Sequence, residues 1–231
     1  MPDACTPRVL VACGRGRYED PWHDHAAVSH ALASLLEQRG LDVVVRSLFP
    51  HALHDLAAFD LLVVNGGTGR VDPAFDGDDH AWRPVHAAVD RYAFGGGPVL
   101  VYHQGINCFL DSPRWHEIVG GRWIRGVTYH PEAGEATFRV VPGSHPLVDG
   151  LDDVRTVDER YTRLVPEPGV VVTTVQREAG ADHPTSWVNE VGGVRTVYDS
   201  LGHDAASIAD PGRRALLCRE VGWLLGRDIA T

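Results

Sequence analysis

Pro98-Val99-Leu100-Val101-Tyr102-His103-Gln104-Gly105 is the stretch that decides the fold. Following the helix stop Gly95-Gly96-Gly97-Pro98, its unalternated apolar run reads as a strand covered on both faces, the signature of a parallel sheet. The strand ends on one polar residue with glycine two positions later. That spacing predicts a strand-to-helix elbow, which presents a side chain where backbone N–H groups favour negative charge. Outward from this unit the same β-then-α order repeats. Val9-Leu10-Val11-Ala12 leads through a Gly-containing loop to a helix over Ala26 to Arg39. There Val28, Ala31, Leu32, Leu35 and Leu36 form one stripe and Gly40 supplies the stop. Val43-Val44-Val45 and Leu61-Leu62-Val63-Val64 are two more strands of the doubly covered kind. Asn65-Gly66-Gly67-Thr68-Gly69 ends the second of them, ahead of a helix through Val85, Ala88, Val89 and Tyr92. Ser112-Pro113 predicts an N-cap with proline at the first position of the helix carrying Trp115, Ile118 and Val119.

From Gly120 to about Val197 the pattern changes. Ala136 to Val140 alternates, Val170 to Thr174 is β-branched, and helical periodicity is weak, which predicts an elaboration with antiparallel strands. The chain then returns to its first pattern with Thr196-Val197-Tyr198, a loop holding His203, and a helix capped by Asp210-Pro211 with Leu217, Val221 and Leu224 inside. The expectation is a three-layer α/β fold with a mostly parallel sheet and an antiparallel elaboration, forming one domain over residues 1–231.

Composition narrows the partners. A formal charge of -10 disfavours nucleic acid and anionic membranes, which require a basic footprint, and points to a small-molecule ligand. The opening Met1 to Arg8 is too polar for a secretory segment and no run is long enough to span a bilayer, so the expected location is the cytoplasm. Cys5, Cys13, Cys108 and Cys218 contain no C-x-x-C pair and read as reduced thiols. The apolar and aromatic content between Gly120 and Tyr198 leaves room for a homo-oligomer face.

In an open parallel sheet, ligands bind beyond the carboxyl ends of the strands. The loops at those ends carry Gly14, Gly16, His23, Asp24 and His25, then Asn65-Gly66-Gly67, then His103-Gln104-Gly105, then His203-Asp204. His103 and His203 are the leading candidates, as general base or metal ligand. Glu159 reads either as a surface partner of Arg160 or as a site carboxylate, and His23 and His25 as part of a lid or a solvated turn. Tyr161 and Trp187 are core aromatics by default, though aromatic faces also suit sugar rings. His145 reads as a turn-former, and His51, His54, His80, His86 and His116 as surface residues.

The octapeptide at 98–105 resembles the nucleophile loop of class I glutamine amidotransferases, in which the position of His103 holds cysteine. Imidazole is a poor acyl-forming nucleophile and Cys108 lies off the elbow, so glutaminase activity is not expected. Tyr129-His130-Pro131-Glu132 mimics another motif of those enzymes but follows the elbow too soon, and is read as coincidence. Taken in order, His23-Asp24, Gly66-Gly67, Val101-Tyr102-His103, Gly120-Gly121, Ser144-His145-Pro146-Leu147, Asp158-Glu159-Arg160-Tyr161, Ser186-Trp187-Val188 and Ser200-Leu201-Gly202-His203-Asp204 resemble the ThuA-like family, named for trehalose utilisation. That resemblance implies a flavodoxin-like, class I glutamine amidotransferase-like sheet and a link to carbohydrate metabolism. It implies a cleft with His103, Glu159, Tyr161 and His203 around it and His23 at its rim. Arg160 stands where leucine is usual, and Asp72 to Arg83 is unusually acidic.

The reading that follows is an enzyme acting on a sugar or keto-sugar derivative by acid–base or metal-assisted chemistry, whether isomerisation, elimination or hydrolysis. His103, His203 and Glu159 are its catalytic set, and His23, Gly67, Gln104, Tyr161 and Trp187 its substrate-binding residues. His103, Glu159 and His203 with an open position suit a divalent ion such as zinc, although no H-E-x-x-H spacing is present. The alternatives are a non-catalytic sugar- or metabolite-binding module, and an enzyme recruited to another small polar substrate. In the latter case, acids such as Asp76, Asp78 and Asp79 would draw in a cation.

Overall fold

The computed structural model describes residues 6–229, so Cys5 lies outside the described residues. Eleven strands follow in chain order: β1 (Arg8–Cys13), β2 (Asp42–Ser47), β3 (Leu61–Asn65), β4 (Pro98–Tyr102), β5 (Gly121–Arg122), β6 (Gly134–Val140), β7 (Val154–Asp158), β8 (Val165–Pro166), β9 (Val171–Glu178), β10 (Ala181–Asn189) and β11 (Arg195–Asp199). The helices are α1 (His25–Glu37), α2 (Pro73–Asp76), α3 (Asp79–Phe94), α4 (Trp115–Val119) and α5 (Pro211–Leu225). Nine strands form one sheet in the order β2-β1-β3-β4-β11-β10-β9-β6-β7. The five from β2 to β11 pair parallel, in the spatial order of flavodoxin-like sheets, and the remaining pairings are antiparallel. The short β5 and β8 pair separately.

Alternation along the strands makes the three layers. On one face Leu10, Leu62, Val64, Val99 and Val101 pack with Trp82, Val85 and Val89 of α3 and Ile118 of α4. On the other, Val9, Val11, Val63, Leu100 and Val197 pack with Val28, Leu32 and Leu36 of α1 and Leu217, Val221 and Leu224 of α5. Asp24, Asp78 and Asp210 each accept a backbone N–H at the start of α1, α3 and α5.

Two local expectations need correction. β2 is an edge strand rather than a doubly covered one, pairing with β1 alone and leaving Val45 44% exposed. Three consecutive valines are equally compatible with both positions. Ser112 does not cap α4, which begins at Trp115 with Arg114 in the cap position. The indole of Trp115 donates to the Gly105 carbonyl (3.1 Å), tying that helix start to the elbow.

The acidic segment from Asp72 is engaged within the protein. Asp72 and Asp78 cap helices, and Asp76 accepts the Arg17 backbone N–H (2.6 Å). The Arg17 guanidinium reaches Asp79 (2.8 Å) and Asp111 (3.2 Å). Tyr18 donates to Asp111 (2.8 Å), and His86, expected at the surface, lies 3.4 Å from the same carboxylate. Burial alone would raise Asp111, but His86, Tyr18 and Arg17 outweigh it and hold it at about 2. A folded-state value below the ordinary one contributes stability that is present above about 4 and lost as pH falls through about 2. Thermal unfolding between pH 5 and 2 should therefore show a loss that Asp111→Asn, already without the charge, does not share.

Among the described residues, no helix is long and apolar enough to cross a membrane. Cys13, Cys108 and Cys218 are buried free thiols.

A histidine and glutamate cluster at the carboxyl ends of the strands

Each site residue owes its place to the backbone just before it. His103 follows β4 with φ +47°, an uncommon conformation for a residue with a Cβ, and opens the 3-10 turn His103–Asn107. Gly105 is required two residues on, because a Cβ there would sit 2.6 Å from the Val64 carbonyl oxygen. Nδ1 of His103 lies 2.6 Å from the Ser200 carbonyl. A carbonyl only accepts, so Nδ1 carries the proton and Nε2 presents its lone pair. His203 follows β11 through Gly202, where φ is +128° and a Cβ would strike the Tyr102 ring.

Glu159 arrives from the far edge of the sheet. Its predecessor Asp158, buried at the end of β7, accepts N–H bonds from Gly202 (2.7 Å), His203 (3.0 Å) and Glu159 itself (2.8 Å). This carboxylate staples the last antiparallel strand to the loop after β11, so the sheet curls back on itself there. Burial raises Asp158 above the ordinary carboxylate range.

The ligand-capable atoms of His23, His103, Glu159 and His203 all lie within 4.8 Å of one another. The Glu159 carboxylate is 3.8 Å from Nε2 of His23, 3.5 Å from Nε2 of His103, 3.2 Å from Nδ1 of His203 and 3.3 Å from Nδ1 of His130. Burial favours the neutral acid at Glu159, but the imidazoles prevail and hold it well below the usual range. Burial lowers His103 and is not fully offset by Glu159. His203 is raised by its contact with Glu159 against a smaller burial effect. For His23 burial acts downward, yet Asp20 and Glu159 together push it up to about 9. Three atoms facing the cluster are buried without a hydrogen-bond partner: Nε2 of His23, Oε2 of Glu159 and Nδ1 of His203. Groups of this kind ordinarily have a partner.

The structure therefore brings together His23, His103, Glu159 and His203, with Tyr161 donating to His103 Nε2 (2.9 Å) from a fully buried position. His23 is neither at a rim nor in a solvated turn, since its side chain is 5% exposed. Arg160 pairs with Glu178 (3.1 Å), leaving Glu159 free for the cluster. Gly67 sits at the edge, where a Cβ would meet the Asp20 carboxylate at 2.5 Å. Gln104 is turned aside, accepting from Asn107 (2.8 Å). Trp187 is a correction: it is fully buried, donates to the Val119 carbonyl (2.8 Å) and packs on Tyr198, so it belongs to the core. His145 is the expected turn-former, accepting from Leu147 N (3.2 Å).

Three contributors escaped the sequence reading. Asp20 accepts from His23 Nδ1 (2.7 Å) and lies 3.5 Å from His25 Nε2; its signal was an aspartate three residues ahead of a histidine within one turn. Asp158 was hidden beside Glu159. His130, read as coincidence, is brought in by the bridge between Tyr129 and Thr162.

A mostly parallel sheet of this order, whose fourth strand ends in an elbow that presents His103, has a glutamine amidotransferase-like fold. The family model ThuA, trehalose utilisation, matches residues 8–224, and the chain belongs to that family. A ThuA-like protein of Parabacteroides merdae superposes with a TM-score of 0.78 at 18% identity, over 98% of this chain and 92% of that one. A second from Bacteroides uniformis gives 0.73 at 15%, over 97% and 94%. A glutamine amidotransferase of Thermotoga maritima gives 0.57 at 10%, over 95% and 98%, a likeness of fold alone. No curated protein sequence matches the chain.

Proposed function

We propose that this protein is a carbohydrate-metabolism enzyme acting on a sugar or keto-sugar derivative, with His23, His103, Glu159 and His203 holding a divalent ion of the zinc type. The observation that carries the reading is the set of four convergent donors, three of which have buried atoms with no protein partner. Imidazole and carboxylate donors suit such an ion: ligand atoms bonded at about 2.0–2.1 Å in a tetrahedron lie about 3.3 Å apart, and the His103 and His203 nitrogens lie 3.5 Å from Oε2 and 3.2 Å from Oε1 of Glu159, in a set that spans no more than 4.8 Å. When bound, the ion polarises a substrate carbonyl or lowers the pKa of a coordinated water.

The chain's own residues supply the rest. The Ser200 carbonyl fixes the His103 tautomer, and the Asp20 carboxylate orients His23 through Nδ1, leaving both Nε2 atoms toward the cluster. The Tyr161 hydroxyl occupies the His103 lone pair, so its proton must turn away before Nε2 can serve as a ligand. Glu159 offsets positive charge at the centre. Side-chain exposure is 24% at His203 and 32% at His130 against 2–8% for His103, His23 and Glu159, so the solvent side lies at those two residues.

The test is incubation of the metal-loaded protein with sugars and keto-sugars in D2O, followed by NMR. The expected result is deuterium exchange next to a carbonyl, or conversion, of at least one compound. Loss should be about a hundredfold or more in His103→Ala and His203→Ala, the scale of acid–base contributions. Binding without exchange or conversion would make the protein a binding module instead.

A further inference from the structure

The solvent side of the cluster has a wall that nothing so far assigns. Trp123 follows β5, half-buried, with its ring edge-on to Tyr161 (centroids 4.9 Å apart) and 6.1 Å from His130. The indoles of the fully buried Trp82, Trp115 and Trp187 each donate to a backbone carbonyl, whereas Trp123, like the less buried Trp22 and Trp223, has no protein acceptor for its indole N–H among the described residues. The segment bearing it is braced. Ile124 N donates to Thr128 Oγ1 (2.9 Å), that hydroxyl donates to the Arg163 carbonyl (2.9 Å), and Tyr129 and Thr162 exchange backbone hydrogen bonds. His130 is fixed by the same bracing, its Nδ1 3.0 Å from the Pro131 carbonyl and its Nε2 unused by the protein.

We propose that Trp123 and His130 form a sugar-ring subsite on the open side of the histidine–glutamate cluster, the ring stacking on the indole and a hydroxyl group bonding His130. The inference rests on the carbohydrate reading above. A sugar ring offers a face of weakly positive C–H groups and a rim of hydroxyls, and a tryptophan face is negative, so the two are complementary. A part-exposed aromatic held rigidly beside convergent polar groups is the composition of a ligand pocket, and prior ordering spares the entropy of fixing the side chain. Trp123 meets Tyr161 and His130 rather than the four donors, so its substitution leaves that set intact.

Calorimetric titration of the protein as purified with trehalose, glucose and fructose tests this, in the wild type, Trp123→Leu and Trp123→Phe. Leucine keeps apolar packing against Tyr161 but removes the aromatic face, and phenylalanine keeps a face. The expected result is binding of at least one sugar by the wild type, weakened at least tenfold in Trp123→Leu and less than about threefold in Trp123→Phe, with metal content and Tm unchanged in both. Equal binding by the wild type and Trp123→Leu overturns the subsite while leaving the carbohydrate reading in place. No binding of any sugar by the wild type overturns both.

Discussion

Purified without a tag, the protein should carry close to one divalent ion per chain, and Glu159→Ala and His103→Ala should each lose it. Glu159 faces all three other donors, so its removal takes away both a ligand and the charge that gathers the imidazoles. Asp20→Asn, which touches no ion but orients His23, should weaken affinity by about 10- to 100-fold, the usual cost of losing such a support. Because the folded state alone assembles the site, an ion at about a thousand times its Kd adds about 4 kcal/mol of stability, or roughly 10 °C in Tm for a chain of this size. Stripping with chelator should remove that increment and re-addition restore it. His23, pushed up to about 9, carries a proton at neutral pH in the metal-free protein, so ion uptake must release protons and weaken as pH falls. Absence of an ion after purification, with no Tm response to added zinc, nickel or manganese, would remove the metal from the proposed mechanism.

The second large effect is structural. Arg213 is fully buried, 2.6 Å from Asp199 and 3.1 Å from the Leu201 carbonyl, with its guanidinium 5.3 Å from the Tyr102 ring centre. Arg213→Met strands the Asp199 carboxylate in the interior, and breaking such a pair costs about 3–5 kcal/mol, so Tm should fall by roughly 10 °C or more. Glu220→Gln nearby should be the milder change, because burial and Asp199 push the Glu220 carboxyl well up, toward the neutral acid that glutamine imitates. Asp199 precedes Ser200, whose carbonyl fixes His103, so Arg213→Met should also weaken ion binding. Urea denaturation of the two variants side by side checks the contrast; a Glu220→Gln loss as large as that of Arg213→Met would mean that Glu220 is ionised.

The parallel half of the sheet was legible in the sequence because its strands are unalternated apolar runs, and the loops after them are where an open sheet binds ligands. His103 and His203 were visible for that reason alone. His23 was visible too, in the loop after β1, whereas Glu159 came forward through the ThuA-like resemblance, since nothing local separates it from an ordinary partner of Arg160. Asp158 and Trp123 could not be read because their roles depend on contacts across the fold: Asp158 lies four strands from β11 in the sheet order yet binds the loop after it. Trp187 misled because its indole donor is satisfied by Val119, a residue far away in the chain. The edge position of β2 depends on strand order, which three valines do not encode.

The staple at Asp158 bears on how the molecule folds. Strands β1 to β4 are joined by local crossovers, so the backbone that carries His23 and His103 needs no distant partner, although the His103 ring is fixed only once Ser200 is in place. Glu159 is placed only when Asp158 has closed on Gly202 and His203, in a loop that β11 carries to β4 by pairing Thr196 with Val99, a far longer separation in the chain. Contacts of long sequence separation carry the slow part of the search. The four donors thus converge only where the two halves of the sheet have locked together, and ion binding registers that closure.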